Sequence, residues 1–315
     1  MIARKHVPLI ATVSVFALLY LGASLAYPGF FSWRVFFNLL NDNAFLGLAA
    51  LGMTFVILSG GIDLSVGAMI GFISILIATL VQGHHVHPAL AIAIAIACGT
   101  LIGATMGCLI AWFRLPPFLA TLAGMFFTRG MAQIISLESI PIDHPMYRAI
   151  GNFGIRVFPV TTIVSLLAVV TALYLAHFTR FGRNVYAIGG SEESSLLMGL
   201  PVAAVKVRIY ALSGFCSALA GVVYTFYTSS GNAVAGTTLE LDAIAAVVIG
   251  GTLLSGGVGY VFGTLVGVLI LGTIQSILTF EGNLSSWWTK IVIGGLLLLF
   301  IFLQRFVQSS ARKGK

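Results

Sequence analysis

Apolar and polar positions fall here in long blocks, not in the short periods of a soluble fold. Continuous apolar runs of about twenty residues, the length that crosses a bilayer as a helix, are separated by short polar turns. The first run, Val7–Ala26, follows the basic pair Arg4-Lys5. Ser24-Leu25-Ala26 resembles a signal-peptidase site, but the run is long for a signal core and reads as an uncleaved first span. Pro28–Asn43 is short, aromatic and polar, and reads as an interfacial segment. Further spans are expected on either side of a break at 58–67, then over Ala89–Phe113, Phe118–Ser136, Val160–Phe178 and Lys206–Tyr227. Two more are expected around a second break near 254–263, the later one over Tyr260–Phe280, and a last one ending near Phe306. The pattern predicts an all-α integral membrane protein with about ten transmembrane helices. The alternating ten-residue segments of an outer-membrane barrel are absent.

The first break, Leu58–Gly71, reads LSGGIDLSVGAMIG. Gly60, Gly61 and Gly67 allow a turn and a close backbone approach there, and Asp63 and Ser65 add polar groups. An ionisable residue between two membrane-grade segments is a functional candidate; the plainer reading is a tight loop at the membrane edge with Asp63 in water. The chain repeats the pattern. Leu254–Gly267 reads LSGGVGYVFGTLVG, and a constant offset aligns Ser59, Gly60, Gly61, Gly67 and Gly71 with Ser255, Gly256, Gly257, Gly263 and Gly267. The repeat runs over 44–80 and 240–276, in a single membrane domain of residues 1–315. Interruptions at matching places in two related halves point to a transport pathway. Gly259 stands where the first copy has Asp63, so the halves match in shape and not in charge.

Other positions change the picture less. Gly99, Gly103 and Gly107 form a face of small residues on one helix, suited to close helix packing. Arg129, with Thr128 and Gln133 within two turns, either reaches the nearer interface or faces an aqueous cavity, and the clustering favours the cavity. Leu137–Pro159 is a proline-bearing loop with one helical turn expected at Pro145–Ile150. His84, His85 and His87 sit in a short turn without the other ligands a metal site needs, so no metal is expected.

At 59% hydrophobic and 8% charged over 315 residues, with mean hydropathy +1.06, a soluble class is excluded. The net charge of +7 is scattered at segment ends, which is membrane-topology charge and not a nucleic-acid stripe. Cys98 and Cys108 lie about 15 Å apart along one helix, too far for a disulfide. Lysines and arginines divide unequally. Arg4, Lys5, Arg114, Arg180, Arg183, Lys206, Arg208, Arg305, Arg312, Lys313 and Lys315 fall on one side, and Arg34, Arg148, Arg156 and Lys290 on the other. By the positive-inside rule both termini and the 179–205 loop are cytoplasmic. No phosphate cradle, HExxH or CxxC occurs, so no catalysis and no bound cofactor are expected of this chain. If it moves a solute uphill, another subunit supplies the energy.

Within 179–205, Ser191-Glu192-Glu193-Ser194-Ser195-Leu196-Leu197-Met198-Gly199-Leu200-Pro201 signals a short helix. Ser191 can cap it, the glutamates suit its N-terminus, Gly199 suits its C-cap and Pro201 stops it. Leu196, Leu197 and Met198 make an apolar knob, better suited to a protein groove than to lying on lipid.

The spacing Glu193–Gly199 resembles the coupling-helix motif of ABC-importer permeases. LSGGIDLSVG and AIGGSEESSLLMG resemble the ribose-type monosaccharide permeases among them. AFLGLAALGMTFVILSGGIDLSVG, TLAGMFFTRG, ESIPIDHP, ELDAIAAVVIGGTLLSGGVG and LSSWWTKI are similar to the galactofuranose-type permeases, and the resemblance covers nearly the whole chain. Ser194 and Ser195 replace two alanines of the general motif. The resemblance implies a permease in a bacterial inner membrane, importing a monosaccharide by alternating access. It implies a second, related permease chain, an ATPase subunit with two nucleotide-binding domains that carries ATP and Mg, and a periplasmic sugar-binding protein. Glu192–Gly199 would be the coupling helix. The pathway is expected at Gly60, Gly61, Asp63, Ser65, Gly67 and Arg129, and at Ser255, Gly256, Gly257 and Gly259. An ion-coupled sugar transporter and a branched-chain amino-acid permease are the competing readings.

Overall fold

Inside a bilayer a helix satisfies all its own backbone polar groups, so long apolar runs become helices. A computed structural model describes residues 7–155, 158–282 and 287–313. Its helices in chain order are α1 (Val7–Ala26), α2 (Trp33–Asp42), α3 (Ala44–Leu58), α4 (Val66–Ala78), α5 (Pro88–Trp112), α6 (Pro117–Ile135) and α7 (Pro145–Gly151). Then follow α8 (Val160–Phe178), α9 (Arg180–Gly190), α10 (Glu192–Leu197), α11 (Val202–Thr228), α12 (Leu239–Ile249), α13 (Val261–Glu281) and α14 (Trp287–Lys313). A π-helical turn, Thr79–Gly83, prolongs α4.

Among the described residues seven helices are long and apolar enough to cross a membrane, and α2 with α3 forms an eighth candidate bent by 55°. The expected interfacial segment is therefore a helix, capped by Ser32, whose Oγ accepts from the Val35 amide at 3.3 Å. The expected eighth span is short. At 11 residues, α12 rises about 16 Å, half of a hydrocarbon core about 30 Å thick. The 179–205 segment, expected as a polar loop with a single short helix, is helical almost throughout. α9, α10 and the start of α11 occupy it, and α11 begins at Val202 and not at Lys206. Arg4, Lys5, Arg156, Lys315 and residues 284–286 of the LSSWWTKI stretch lie outside the described residues.

Helices divide into an inner and an outer set. α3 is buried on every side, all but Phe45 of its residues, and α4, α11, α12 and α13 pack around it. α1, α5, α6 and α8 expose large apolar side chains such as Leu18, Leu101, Phe126 and Val170, which in a membrane protein is the lipid-facing surface. The small-residue face of α5 does what its spacing predicts. A methyl group built on Gly103 would lie 2.4 Å from the Tyr210 carbonyl oxygen, and one on Gly107 would lie 2.8 Å from the Val207 Cα. The backbones of α5 and α11 thus touch, as small-residue faces permit. Buried hydroxyls bond locally or across helices. Thr54 Oγ1 donates to Ala50 O at 2.7 Å and meets Thr264 Oγ1 at 2.8 Å, joining α3 to α13.

At the far end of α11 from α10, residues 140–141 pair antiparallel with 230–231. The turn expected at Pro145–Ile150 is α7, and Tyr147 is hydrogen-bonded to Thr225 of α11.

Candidate functional site

Both glycine breaks are real interruptions, and they meet. α3 stops because Gly60 has φ +84°, a left-handed conformation that only glycine adopts without strain. The Gly61 amide then donates back to Val56 O at 3.0 Å. In the second break Gly256 and Gly257 have φ +82° and +75°. The Gly257 amide donates to Leu58 O at 2.9 Å, so the second break satisfies a carbonyl that the end of α3 leaves open. A methyl group on Gly256 would lie 2.7 Å from the Gly60 amide nitrogen. Ser255 O sits 3.7 Å from the corresponding position on Gly60.

A third strand of backbone closes on this junction. A methyl group built on Gly189, at the end of α9, would lie 1.8 Å from Leu58 O and 2.5 Å from the Gly257 amide nitrogen. The end of α9 rests directly on both breaks. Tyr186 of α9 adds a second tie, its hydroxyl donating to Gly259 O at 2.9 Å. Neither Gly189 nor Tyr186 was among the residues expected from the sequence. The Gly189-Gly190 pair in a helical stretch was the available signal, since paired glycines mark close backbone approach.

Asp63 is 1% exposed, so the plainer reading of a tight loop with Asp63 in water does not hold. Its Oδ1 accepts from the Ser65 amide at 2.9 Å and the Ser65 hydroxyl at 2.7 Å, and its Oδ2 accepts from the Ser213 hydroxyl at 2.7 Å. The first two bonds close a local turn that opens α4. The third fastens the break to α11. Desolvating a carboxylate is costly unless its lone pairs are filled, and these donors occupy them. Ser65 therefore serves Asp63. Gly259, at the matching position, has no room for an acid: a methyl group there would lie 2.5 Å from Thr252 Oγ1.

Arg129 is partly buried. Its Nη1 donates to Ala233 O at 2.7 Å and to Ala235 O at 2.9 Å. The guanidinium thus holds the loop ahead of α12, because carbonyls left over by that irregular loop need a donor. Thr128 is turned inward, its hydroxyl donating to Gly124 O at 2.8 Å. Gly67 and Gly71, one turn apart on α4, make the surface that receives this loop. A methyl group on Gly71 would lie 2.7 Å from both Arg129 Nη1 and Ala233 O, and one on Gly67 would lie 2.2 Å from Glu240 Oε2. His87 also has a structural use: its Nδ1 accepts from the Ala89 amide at 3.3 Å and caps α5.

α10 follows α9 after one residue, Ser191, whose Oγ accepts from the Ser194 amide at 3.2 Å. Gly199 has φ +77°. Its amide donates to Leu196 O at 2.9 Å and the Leu200 amide to Ser195 O at 3.1 Å, the paired bonds of a Schellman C-cap. Ser195 is fully buried, its hydroxyl donating to Ser191 O at 2.9 Å. Glu192 pairs with Lys206 of α11 at 2.6 Å, while Glu193 is exposed. Leu196, Leu197 and Met198 are 57%, 84% and 68% exposed. A rigidly capped helix thus presents three bare apolar side chains, one residue away from the helix that rests on both breaks.

Comparison with known proteins completes the site. A family profile described as branched-chain amino acid transport system / permease component matches residues 35–301. The inner membrane ABC transporter permease protein YjfF of Escherichia coli is 50% identical over 307 residues, covering 96% of this chain and 93% of that protein. The ribose import permease protein RbsC of Bacillus subtilis is 43% identical, covering 90% of this chain and 88% of that protein. The fructose import permease protein FruG of Bifidobacterium longum is 37% identical, covering 97% and 93%. No solved structure matches the chain.

Proposed function

This chain belongs to the branched-chain amino acid transport system / permease component family, and on that premise we propose that it is the membrane permease of an ATP-driven importer of a monosaccharide. ABC permease is the role its relatives share, and ribose and fructose are the sugars in their names; galactofuranose is the sugar we propose for this chain. The observation that carries the mechanism is the contact of α9 with both glycine breaks. α10 docks in a groove of a separate ATPase subunit, which binds ATP and Mg. Movement of α10 is passed through Ser191 to α9, and from Gly189 to the Leu58–Gly257 junction, where the interrupted helices repack and alternate access. A second, related permease chain completes the pathway, and a periplasmic binding protein delivers the sugar. About ten helices cross the inner membrane in two related halves that share the repeat 44–80 with 240–276, and both termini are cytoplasmic. Asp63, Ser65 and Arg129 act in this reading as fasteners of the moving parts.

Burying one leucine is worth about 1.5–3 kcal/mol, so loss of Leu197 weakens ATPase docking about tenfold or more. Leu197→Asp is expected to separate the permease from its ATPase during co-purification. Gly199→Val places a branched side chain at φ +77° and misdirects the helix. That variant is expected to stay assembled while ATP hydrolysis no longer drives uptake in liposomes. Normal uptake and normal stimulation of the ATPase in both variants would remove α10 from the transmission. The family description favours one rival, a branched-chain amino acid as cargo, and leucine uptake by the same reconstituted complex tests it.

A further inference from the structure

The glycine junction is tightly packed, so the solute must be received elsewhere. α11 leads away from α10 for 27 residues, about 40 Å, so the loop after it opens on the opposite side. There a notch of about 770 Å³ lies between the loop before α12, the last turns of α13 and the start of α14. That volume is within the range of small-molecule sites, about 300–1,000 Å³. Gln275 lies six residues before the end of α13 at Glu281, so the notch reaches about 9 Å down that helix.

We propose that this notch is the outer solute site of the pathway and that it takes an uncharged, polyhydroxylated ring of monosaccharide size. The proposal rests on the importer reading above and names where its cargo is first held. Gln275 supplies an amide, Thr238, Thr279 and Thr289 supply hydroxyls, and Trp287 supplies an aromatic ring that is 75% exposed. Thr279 donates to Gln275 O at 3.0 Å and keeps its lone pairs for a donor. A sugar ring offers the matching surfaces: hydroxyl edges for the amide and the threonines, and a C–H face for the indole. Lipid chains would leave those polar groups without partners.

The charge in the notch is already balanced. Lys290 Nζ donates to both carboxylate oxygens of Asp242, at 2.8 and 2.6 Å. An amino-acid carboxylate would meet a Lys290 whose charge Asp242 already neutralises, whereas a neutral sugar needs no net charge there. Thr238 itself has φ +67° without being glycine, a conformation of the kind that gathers at ligand sites.

The test uses the complete importer in liposomes, with its binding protein, second permease chain and ATPase. Uptake of labelled D-ribose, D-fructose and D-galactose, the last of which presents galactofuranose through its ring equilibrium, is measured beside binding-protein-stimulated ATP hydrolysis. For whichever sugar the wild type carries, Gln275→Leu and Trp287→Leu are expected to lower uptake about tenfold, with ATPase stimulation kept within about twofold. Trp287→Phe is expected to restore most of what Trp287→Leu loses, because the ring is kept. Parallel loss of stimulation and uptake would overturn the proposal and make the notch a docking face for the binding protein. Unchanged uptake in both leucine variants would overturn it as well. A wild-type complex that carries leucine and none of the sugars would defeat the importer reading itself, a result that does not depend on the variants.

Discussion

Asp63 shows how one side chain can be costly and useful at once. A carboxylate taken out of water is tolerated only when donors fill its lone pairs. Here the amide and hydroxyl of Ser65 serve one oxygen and Ser213 the other. The bond to Ser213 is the one that crosses between elements, so it decides how firmly the first break is held to α11. Ser213→Ala leaves Oδ2 buried with one donor fewer, a cost of about 1–3 kcal/mol. We expect a lower melting temperature of the purified complex and impaired uptake, and Asp63→Leu, which removes all three bonds, should also insert and fail to transport. A Ser213→Ala complex with wild-type melting behaviour would show that the break is held by packing alone. Gly259 makes the converse point. Its space is filled by Thr252, so Gly259→Asp is expected to prevent stable assembly, measured as loss of the monodisperse peak in detergent.

Among the elements, α9 links α10 to both breaks. It is amphipathic, it begins at a Thr179 cap whose Oγ1 accepts from the Gly182 amide at 3.2 Å, and it ends on the junction of both breaks. Two adjacent glycines at that end have opposite surroundings. A methyl group on Gly189 would sit 1.8 Å from Leu58 O, while one on Gly190 would meet nothing within 4 Å. Gly189→Ala must therefore push α9 off the breaks, and Gly190→Ala need move nothing. We expect Gly189→Ala to retain ATPase binding yet lose sugar uptake about tenfold or more, with Gly190→Ala matching the wild type. Equal behaviour of the two variants in reconstituted transport would show that contact between α9 and the junction transmits no motion.

At the scale of the whole molecule, a buried set of interrupted helices is wrapped by apolar helices facing lipid. α11 joins the two ends, with α10 at one and the paired loops at 140–141 and 230–231 at the other. That arrangement puts Asp143 and Asn232 on the side opposite Gly190, which we propose from the positive-inside rule to be external. In a background with Cys98, Cys108 and Cys216 replaced, single cysteines at His85, Asp143 and Asn232 should react with an impermeant thiol reagent in intact spheroplasts. Cysteines at Gly190 and Ser310 should react only after the membrane is opened. Labelling of position 190 in intact cells would reverse the orientation and detach α10 from a cytoplasmic ATPase.

Membrane class, most helices, the close packing of α5 on α11, both breaks and the capped knob of α10 were legible in the residues. All of these rest on local physics: apolar length, small-residue spacing, glycine at positive φ, and capping chemistry act within a few turns of chain. The length of α12 and the helical character of 179–190 were harder to read. Apolar residues continue past the point where glycine stops a helix, and an amphipathic helix at an interface looks polar in sequence. Asp63 and Arg129 were visible as charges, but their partners were not. Ser213 is 150 residues from Asp63, and Arg129 binds carbonyls, which every residue carries. The junction of Leu58, Gly189 and Gly257 was decided by tertiary structure alone. It is made of backbone atoms from three distant segments, and no side-chain pattern records which carbonyl a distant glycine will meet.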